Sequence, residues 1–158
     1  MVKGLAPELL RKDEHMPSAR HTVSIARRVE EVFAFFTNPQ NEFQWRSRVK
    51  KISTEGPPGV GRRVHQVIRG PGGLSVPAHV EVTGYDPTTR YAFRGVAGPV
   101  RPVGEFLFSA EQERTTVSFS LAVDLSGIKR MLMSRPVQRA MDAEVQAIEQ
   151  AKAVLERS

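Results

Sequence analysis

The most regular hydrophobic pattern in the chain covers residues 136–156. Apolar residues recur there every three or four positions with polar residues between them, which is the spacing of one buried helix face; they are Val137, Met141, Val145, Ile148 and Leu155. Pro136 suits the first helical turn, where a missing N–H is no loss. A helix of this length spans roughly 30 Å at about 1.5 Å per residue. We predict that it lies against a sheet.

The residues before this helix are patterned mainly as strands. Alternating polar and apolar residues predict a first strand over residues 20–26, and residues 29–36 show the spacing of a short helix that ends before Pro39. A second short helix or turn carries Phe43 and Trp45. Turns rich in Gly and Pro then separate six predicted strands, over residues 49–54, 61–69, 74–85, 90–96, 100–110 and 115–125.

This order of elements, β-α-α-β6-α, predicts an α+β fold in which a curved antiparallel sheet of about seven strands surrounds the long C-terminal helix. A chain of 158 residues fits one domain. We expect residues 1–18 to form a flexible tail, because they offer little apolar surface to bury. Residues 19–158 are then the single folded domain.

The composition of the chain bears on its location in the cell. No apolar run reaches the roughly 20 residues of a membrane span, and the N-terminal residues lack the apolar segment of a secretory signal. The chain contains no cysteine, so disulfides, thiolate metal sites and a cysteine nucleophile are excluded. Together these features predict a cytoplasmic location.

The net charge of +6 raises the question of an acidic partner. Most basic residues are scattered, and the one concentration is Arg46, Arg48, Lys50, Lys51, Arg62 and Arg63. Aromatic residues do not alternate with these charges as a base-stacking surface requires, so we do not expect nucleic-acid binding. The patch leaves open an interaction module that docks an acidic carrier protein.

The chain shows no motif that fixes a cofactor. His65, His79 and Glu81 fall on neighbouring predicted strands, but His79 and Glu81 should face water because they alternate with apolar Val80 and Val82. The ligand count and spacing of known metal motifs are missing. A nucleophile elbow, a phosphate-binding loop and a dinucleotide fingerprint are absent as well. We therefore predict neither a metal nor another cofactor.

Several short segments, in their order and spacing, resemble the START-like (SRPBCC) helix-grip superfamily, in its polyketide cyclase/dehydrase and lipid-transport branch. The segments are VEEVFAFFTNP from Val29 followed by Trp45, Val60-Gly61, VTGYDP from Val82, YAFR from Tyr91, Gly98-Pro99 and GEFLF from Gly104. The resemblance covers roughly residues 20–156. It implies a helix-grip fold, also described as Bet v 1-like or START-like, and it is specific for fold rather than for chemistry.

The resemblance also implies an internal cavity, because a strongly bent sheet cannot lie flush on one straight helix. Such a cavity suits a small hydrophobic or aromatic ligand. The candidate ligand-binding residues are Phe33, Phe36, Trp45, Val80, Val82, Tyr91, Phe93, Phe106, Phe108, Phe119, Met133, Val137, Met141 and Val145.

These candidates divide by chemistry. Ordinary core packing is the default for apolar side chains, and we favour it for Phe33, Val82, Phe106 and Val145. Cavity walls are the better interpretation of Trp45, Tyr91 and Met141, since Trp and Tyr carry polar groups and Met adapts its shape.

A polyketide cyclase/dehydratase-type enzyme is the alternative to a binding protein. Acid–base chemistry needs a titratable side chain inside the cavity, and Tyr91, Arg94, Glu105 and Glu144 are the candidates. For Glu144 we favour a charge that reaches solvent beside the helix stripe. Arg94 would orient a carbonyl or phenolate oxygen unless it lies on the outer face. A homodimer paired through an exposed sheet edge also stays open.

Overall fold

The computed structural model describes residues 17–97, 100–125 and 127–158, and the predicted tail over residues 1–18 lies almost entirely outside them. Its helices are α1 (Val29–Thr37), α2 (Gly127–Gln146) and α3 (Ile148–Arg157), with 3-10 turns at Pro39–Gln44 and Pro71–Gly73. Its strands are β1 (Ser18–Ile25), β2 (Val49–Glu55), β3 (Arg63–Arg69), β4 (Ser75–Pro77), β5 (His79–Asp86), β6 (Arg90–Ala97), β7 (Val103–Glu111) and β8 (Arg114–Ala122).

The strands form one antiparallel sheet with the order β1-β8-β7-β6-β5-β3-β2. The predicted antiparallel sheet of about seven strands around a long C-terminal helix is therefore confirmed. One difference concerns residues 74–85, for which the sequence pattern predicts a single strand. They divide at Ala78 into the short β4 and the longer β5, and both pieces pair with β3. The Ala78 N–H still donates to the carbonyl of Gln66 at 2.9 Å, so the division leaves that group bonded.

The inner face of the sheet follows the predicted alternation. The large apolar side chains of β8 fall at every second position and are buried, namely Val117, Phe119 and Leu121, and Phe106 of β7 is buried opposite Phe119. Phe106 stacks on Phe119 with ring centroids 4.0 Å apart and the planes nearly parallel. The strand periodicity of two thus carries the aromatic residues to one side, where they form the hydrophobic core.

The C-terminal helix differs from the prediction at its start and in its middle. It begins at Gly127, so Pro136 lies inside α2 rather than in a first turn, and Pro136 there removes one N–H from the helical ladder. The helix also tightens at Ala147, whose N–H donates to the carbonyls of both Ala143 and Glu144. The apolar stripe survives both irregularities, because its members are all buried: Val137, Met141, Val145, Ile148 and Leu155.

Polar contacts attach this helical segment to strand β1 along its length. Gln138 donates to the carbonyl of Ser18 at 2.7 Å, and Glu149 contacts the His21 ring at 2.7 Å. Near the C-terminus Glu156 accepts a hydrogen bond from the Ala26 N–H at 2.8 Å. The helix therefore closes one side of the curved sheet, and space remains toward β3, β5 and β6.

Candidate functional site

A cavity of about 230 Å³ lies between the inner face of the sheet and helix α2. Its wall includes these predicted ligand-binding residues: Trp45, Val80, Tyr91, Phe93, Phe106, Phe119, Val137 and Met141. Val64, Ile68, Leu121 and Ala140 add further apolar surface. The space predicted between sheet and helix is thus present, with a largely apolar wall.

Five of the other predicted residues do not line this cavity. Phe33, Phe36, Val82, Phe108 and Val145 are buried in the hydrophobic core. Phe36 is 1% exposed and has Trp45, Phe106 and Phe108 as aromatic neighbours. These side chains meet other core side chains rather than the cavity. The side chain of Met133 lies outside the part of the chain that the structure describes.

A close fit between two strands positions Phe93 in the cavity wall. Phe93 of β6 pairs with Gly104 of β7, and a Cβ atom at Gly104 would lie 2.2 Å from Cζ of the Phe93 ring. The ring therefore lies directly over the glycine backbone. Any side chain at position 104 would force it to move.

One part of the cavity wall is polar, and we call it the polar wall: Glu42, Arg46, Gln66 and Glu144. The Arg46 guanidinium forms ion pairs with the carboxylates of Glu42 and Glu144, and it donates to Oε1 of Gln66 at 2.9 Å. The Arg46 side chain is only 13% exposed, and that of Glu42 is 12% exposed. Arg46 thereby connects the 3-10 turn, strand β3 and helix α2 at the cavity.

The local fold explains this convergence. Glu42 and Arg46 are four residues apart at the end of the 3-10 turn, and the Arg46 N–H donates to the Glu42 carbonyl at 2.8 Å. That spacing places the two side chains on the same side of a helical turn. Every second residue of β3 faces the same side of the sheet, and one such set is Val64, Gln66 and Ile68. The Gln66 amide therefore points to the inner face, as its two apolar neighbours do.

Burial sets the electrostatics of the polar wall. Burial raises the pKa of Glu42 above its ordinary value, more than the adjacent Arg46 guanidinium lowers it. Burial would lower the pKa of Arg46, but the Glu144 and Glu42 carboxylates outweigh it and raise that pKa, so the guanidinium stays protonated. The pKa of Tyr91 is raised by burial and by the charge of Glu42, so its phenol stays neutral.

Two side-chain N–H groups of cavity-lining residues have no hydrogen-bond partner among the described residues. They are the indole Nε1–H of Trp45 and the Nε–H of Arg46, and both are buried. Trp45 as a whole is 4% exposed and Arg46 lines the same wall. A buried donor left without an acceptor costs about 1–3 kcal/mol, and for these two groups no described residue offsets that cost.

Of the four catalytic candidates, two line the cavity and two lie outside it. Tyr91 and Glu144 line the cavity, but the charge of Glu144 is held by Arg46 and is not simply directed to solvent. Arg94 lies outside the cavity, 56% exposed, and binds Glu81 at 2.6 Å. Glu105 is buried away from the cavity and accepts from Nε of Arg90 at 2.6 Å. Arg94 and Glu105 therefore cannot reach a molecule in the cavity.

The predicted basic patch needs correction at two residues, Arg46 and Arg62. The Arg62 side chain is half-buried, and its Nε atom is buried. Arg46 is not part of an exposed surface, because its guanidinium turns inward to two carboxylates. Arg48, Lys50, Lys51 and Arg63 are exposed, as predicted for a surface patch. Arg48 additionally lines the cavity.

The two histidines on the sheet lie together. Nδ1 of His65 and Nδ1 of His79 are 3.1 Å apart, and Nε2 of His65 contacts Glu55 at 3.2 Å. His79 also contributes to the cavity lining rather than only facing water, next to a register shift between β5 and β6. No group of three or more metal-ligating side chains occurs among the described residues.

The polar wall is the part of the site that sequence reasoning missed. The sequence pattern singles out neither Glu42 nor Gln66, and it favours a surface patch for Arg46. A signal for Gln66 is present, since it sits between Val64 and Ile68 at the period of two. The spacing of Glu42 and Arg46 is a second signal. Neither indicates that Glu144 joins them from the far end of the chain.

A curved antiparallel sheet around a long helix, with a cavity between them, defines a START-like helix-grip fold. A family model for polyketide cyclase / dehydrase and lipid transport matches residues 16–152. The chain therefore belongs to the polyketide cyclase/dehydrase and lipid transport family, as the short segments predicted. A search of curated protein sequences gave no significant match.

Solved structures confirm the fold. A protein from Thermus thermophilus is 22% identical, with a TM-score of 0.75 over 90% of this chain and 100% of that one. A START superfamily protein from Mycobacterium smegmatis is 12% identical, with a TM-score of 0.73 over 89% of this chain and 97% of that one. The di-domain aromatase/cyclase of the steffimycin biosynthetic pathway is 11% identical, with a TM-score of 0.77 over 91% of this chain and 52% of that one.

A membrane-spanning helix is not found in the part of the chain that the structure describes, since none there is both long and apolar enough.

Proposed function

We propose that the protein binds a small, largely apolar molecule in the cavity between the sheet and helix α2. The observation that carries the proposal is the cavity itself, whose wall combines aromatic and aliphatic side chains with one polar wall. Ligand sites have this composition, with a few polar groups that fix orientation. Membership of a family named for cyclases and lipid transport supports the same conclusion.

The volume of the cavity limits the ligand. An apolar cavity of about 150 Å³ takes up benzene, whereas this cavity measures about 230 Å³. A two-ring molecule is the corresponding size, and the aromatic wall from Phe93, Phe106 and Phe119 favours flat rings. A long acyl chain would not fit wholly inside this volume. We therefore expect a compact, ring-containing ligand.

Titration with the bicyclic ketone 1-indanone tests the proposal. Trp45 is the single tryptophan of the chain and lines the cavity, so its fluorescence reports occupancy directly. Ala140→Phe places a ring in the cavity from helix α2 and should weaken binding at least tenfold, because the space is filled. Ala143→Phe, on the exposed side of the same helix, is the matched control and should bind like the parent.

Equal weakening in both variants, or none in Ala140→Phe, would place the ligand elsewhere. Native mass spectrometry of the purified protein complements the titration, since a co-purified molecule would identify the natural ligand class. If neither experiment detects a ligand, and 1-indanone leaves both the Trp45 emission and the melting temperature unchanged, the proposal is wrong.

An enzyme of the cyclase/dehydratase type is the second candidate, and one observation favours it. Glu42 lines the cavity with a raised pKa, next to the neutral phenol of Tyr91. A carboxylate in this position would remove a proton from the carbon beside a ketone, and the phenol would donate a hydrogen bond to the resulting enolate oxygen. Aldol and dehydration steps begin with this proton transfer. The steffimycin aromatase/cyclase has the same fold.

Hydrogen–deuterium exchange at the α-carbon of 1-indanone, followed by NMR in D2O, tests this candidate. We expect the protein to accelerate exchange and Glu42→Gln to abolish the acceleration, because the amide cannot accept the proton. Glu105→Gln is the control, since Glu105 is a buried carboxyl group outside the cavity. If 1-indanone binds but its exchange is no faster than in buffer, the protein binds the ketone without this chemistry, and the enzyme candidate is wrong.

A further inference from the structure

Two histidine rings meet where strands β3 and β5 lie side by side. Val64 pairs with Val80 in the antiparallel register of these strands, so the adjacent residues His65 and His79 lie opposite each other. Directly opposite side chains have Cβ atoms about 4.5–5.5 Å apart, and here the two Nδ1 atoms are 3.1 Å apart. The strand register therefore makes two ring nitrogens converge on one point.

A carboxylate on a third strand defines the state of the first ring. Nε2 of His65 lies 3.2 Å from Oε1 of Glu55 on β2. An ionised carboxylate only accepts hydrogen bonds, so Nε2 carries the proton, and the lone pair of the neutral ring is on Nδ1. Histidines that bind metal ions have this arrangement, in which the nitrogen away from the ion donates to a carboxylate or a carbonyl.

The separation of the two Nδ1 atoms suits binding to a single metal ion. Two nitrogens at about 2.0–2.1 Å from a tetrahedral Zn²⁺ lie about 3.3 Å apart, and at the right angle of a square-planar Cu²⁺ site they lie about 2.8 Å apart. The observed 3.1 Å falls between these values. The residues that flank the pair in register are small, Ser53 beside His65 and Ala97 beside His79, and the His65 side chain is 37% exposed. An ion with bound water can therefore reach the pair.

We propose that His65 and His79 bind one Cu²⁺, Ni²⁺ or Zn²⁺ ion through their Nδ1 atoms, and that Glu55 orients His65. The ring proton of His79 then occupies Nε2, so both rings remain neutral and no net proton is released. Water completes the coordination, since no third metal-ligating side chain joins the pair within the described part of the chain. Imidazole nitrogen suits these ions, whereas Mg²⁺ and Ca²⁺ prefer oxygen.

A bound ion would connect two strands at the point where their pairing ends. β3 pairs with β5 at Arg63 and Val64, and it pairs with β4 from Val67 onward. His65 follows the last of the β5 pairs, so the ion would extend the connection between β3 and β5 by one position. Sequence spacing alone does not reveal this site, because the two histidines become neighbours only through the strand register.

Calorimetric titration of the untagged protein with Cu²⁺, Zn²⁺ and Mg²⁺ tests the site. We expect one Cu²⁺ per chain, weaker binding of Zn²⁺ and no binding of Mg²⁺. His65→Phe and His79→Phe should each weaken Cu²⁺ binding at least tenfold. The double variant should lie within about twofold of the weaker single variant, since residues that share one partner are not additive.

His21→Phe is the matched control, because His21 also contacts a carboxylate, Glu149 at 2.7 Å, but lies on β1. It should bind Cu²⁺ like the parent. Glu55→Ala should weaken binding severalfold, and an unchanged affinity would overturn the orienting role of Glu55. Zn²⁺ should raise the melting temperature of the parent but not of His65→Phe, because an ion that binds only the folded state stabilises it.

Electron paramagnetic resonance of the Cu²⁺ complex identifies the ligands. We expect two coordinated imidazoles in the parent and one in each single variant. If Cu²⁺ does not bind, if the parent complex shows a single imidazole, or if both single variants bind like the parent, the contact is an ordinary hydrogen bond between two rings and the proposal is wrong. The titration with 1-indanone does not depend on these results, so the cavity function is tested separately.

Discussion

An Arg46→Met variant is expected to lose about 3–5 kcal/mol of unfolding free energy at pH 7, the usual cost of removing one partner from a buried ion pair. Methionine fills similar volume but leaves Glu42 and Glu144 without their cation. The charge of a buried carboxylate without a cation is strongly disfavoured. The loss should therefore exceed that from any exposed arginine, and urea denaturation measures it.

The stability cost of Arg46→Met should depend on pH, and the pKa of Glu42 sets the direction of that dependence. A carboxyl group whose pKa is higher in the folded than in the unfolded state stabilises the fold below its unfolded pKa, and this contribution is lost as pH rises through the folded pKa. Burial raises the pKa of Glu42, and without Arg46 nothing nearby lowers it. The Arg46→Met penalty should thus shrink as the pH is lowered from 7 toward 5.

Matched variants make this result interpretable. Arg63→Met changes an exposed arginine of β3, and it should stay within about 0.5 kcal/mol of the parent. Adding Glu42→Gln to Arg46→Met should restore part of the lost stability. If Arg46→Met costs no more than Arg63→Met, and its cost is independent of pH, the polar wall does not stabilise the fold.

The architecture is predictable because its signals are local. Period-two alternation along β8 and Gly/Pro turns such as Gly56-Pro57-Pro58-Gly59 define strands from neighbouring residues alone. The helix boundary is less predictable, since a proline inside α2 is indistinguishable by sequence from one in a first turn. The start of α2 depends on whether residues 127–135 are helical, and in the structure they are. Local helix propensity is a weak guide to such a boundary.

The candidate site is predictable only in its apolar part. Residue chemistry together with a resemblance in fold selects Trp45, Tyr91 and Met141, and they line the cavity. The polar wall depends on Arg46 meeting Glu144 across 98 positions of sequence. No periodicity describes such a contact. Charges close together in sequence, from Arg46 to Arg63, instead indicate a surface patch, since charged residues are exposed by default.

Truncating a core residue should cost much more unfolding free energy than truncating a cavity residue, although both kinds of residue follow the same hydrophobic pattern along the chain. Phe36→Ala is expected to lose about 3–5 kcal/mol of unfolding free energy, typical of a fully buried phenylalanine, because Phe36 lies among Trp45, Phe106 and Phe108. Phe93→Ala should lose less than about 2 kcal/mol, since one side of its ring already borders empty space. Urea denaturation of both variants gives the comparison.

Ligand affinity should show the opposite order, and this reversal distinguishes a binding cavity from a packing defect. Phe93→Ala removes a wall contact and should weaken 1-indanone binding severalfold, whereas the milder Phe36→Leu, which we expect to remain folded, should leave it within twofold. Phe36 does not line the cavity, so its truncation acts on the fold and not on the ligand. If both positions changed stability and affinity in parallel, the cavity wall would be ordinary core, and ligand binding would have to be sought on the basic surface around Arg48.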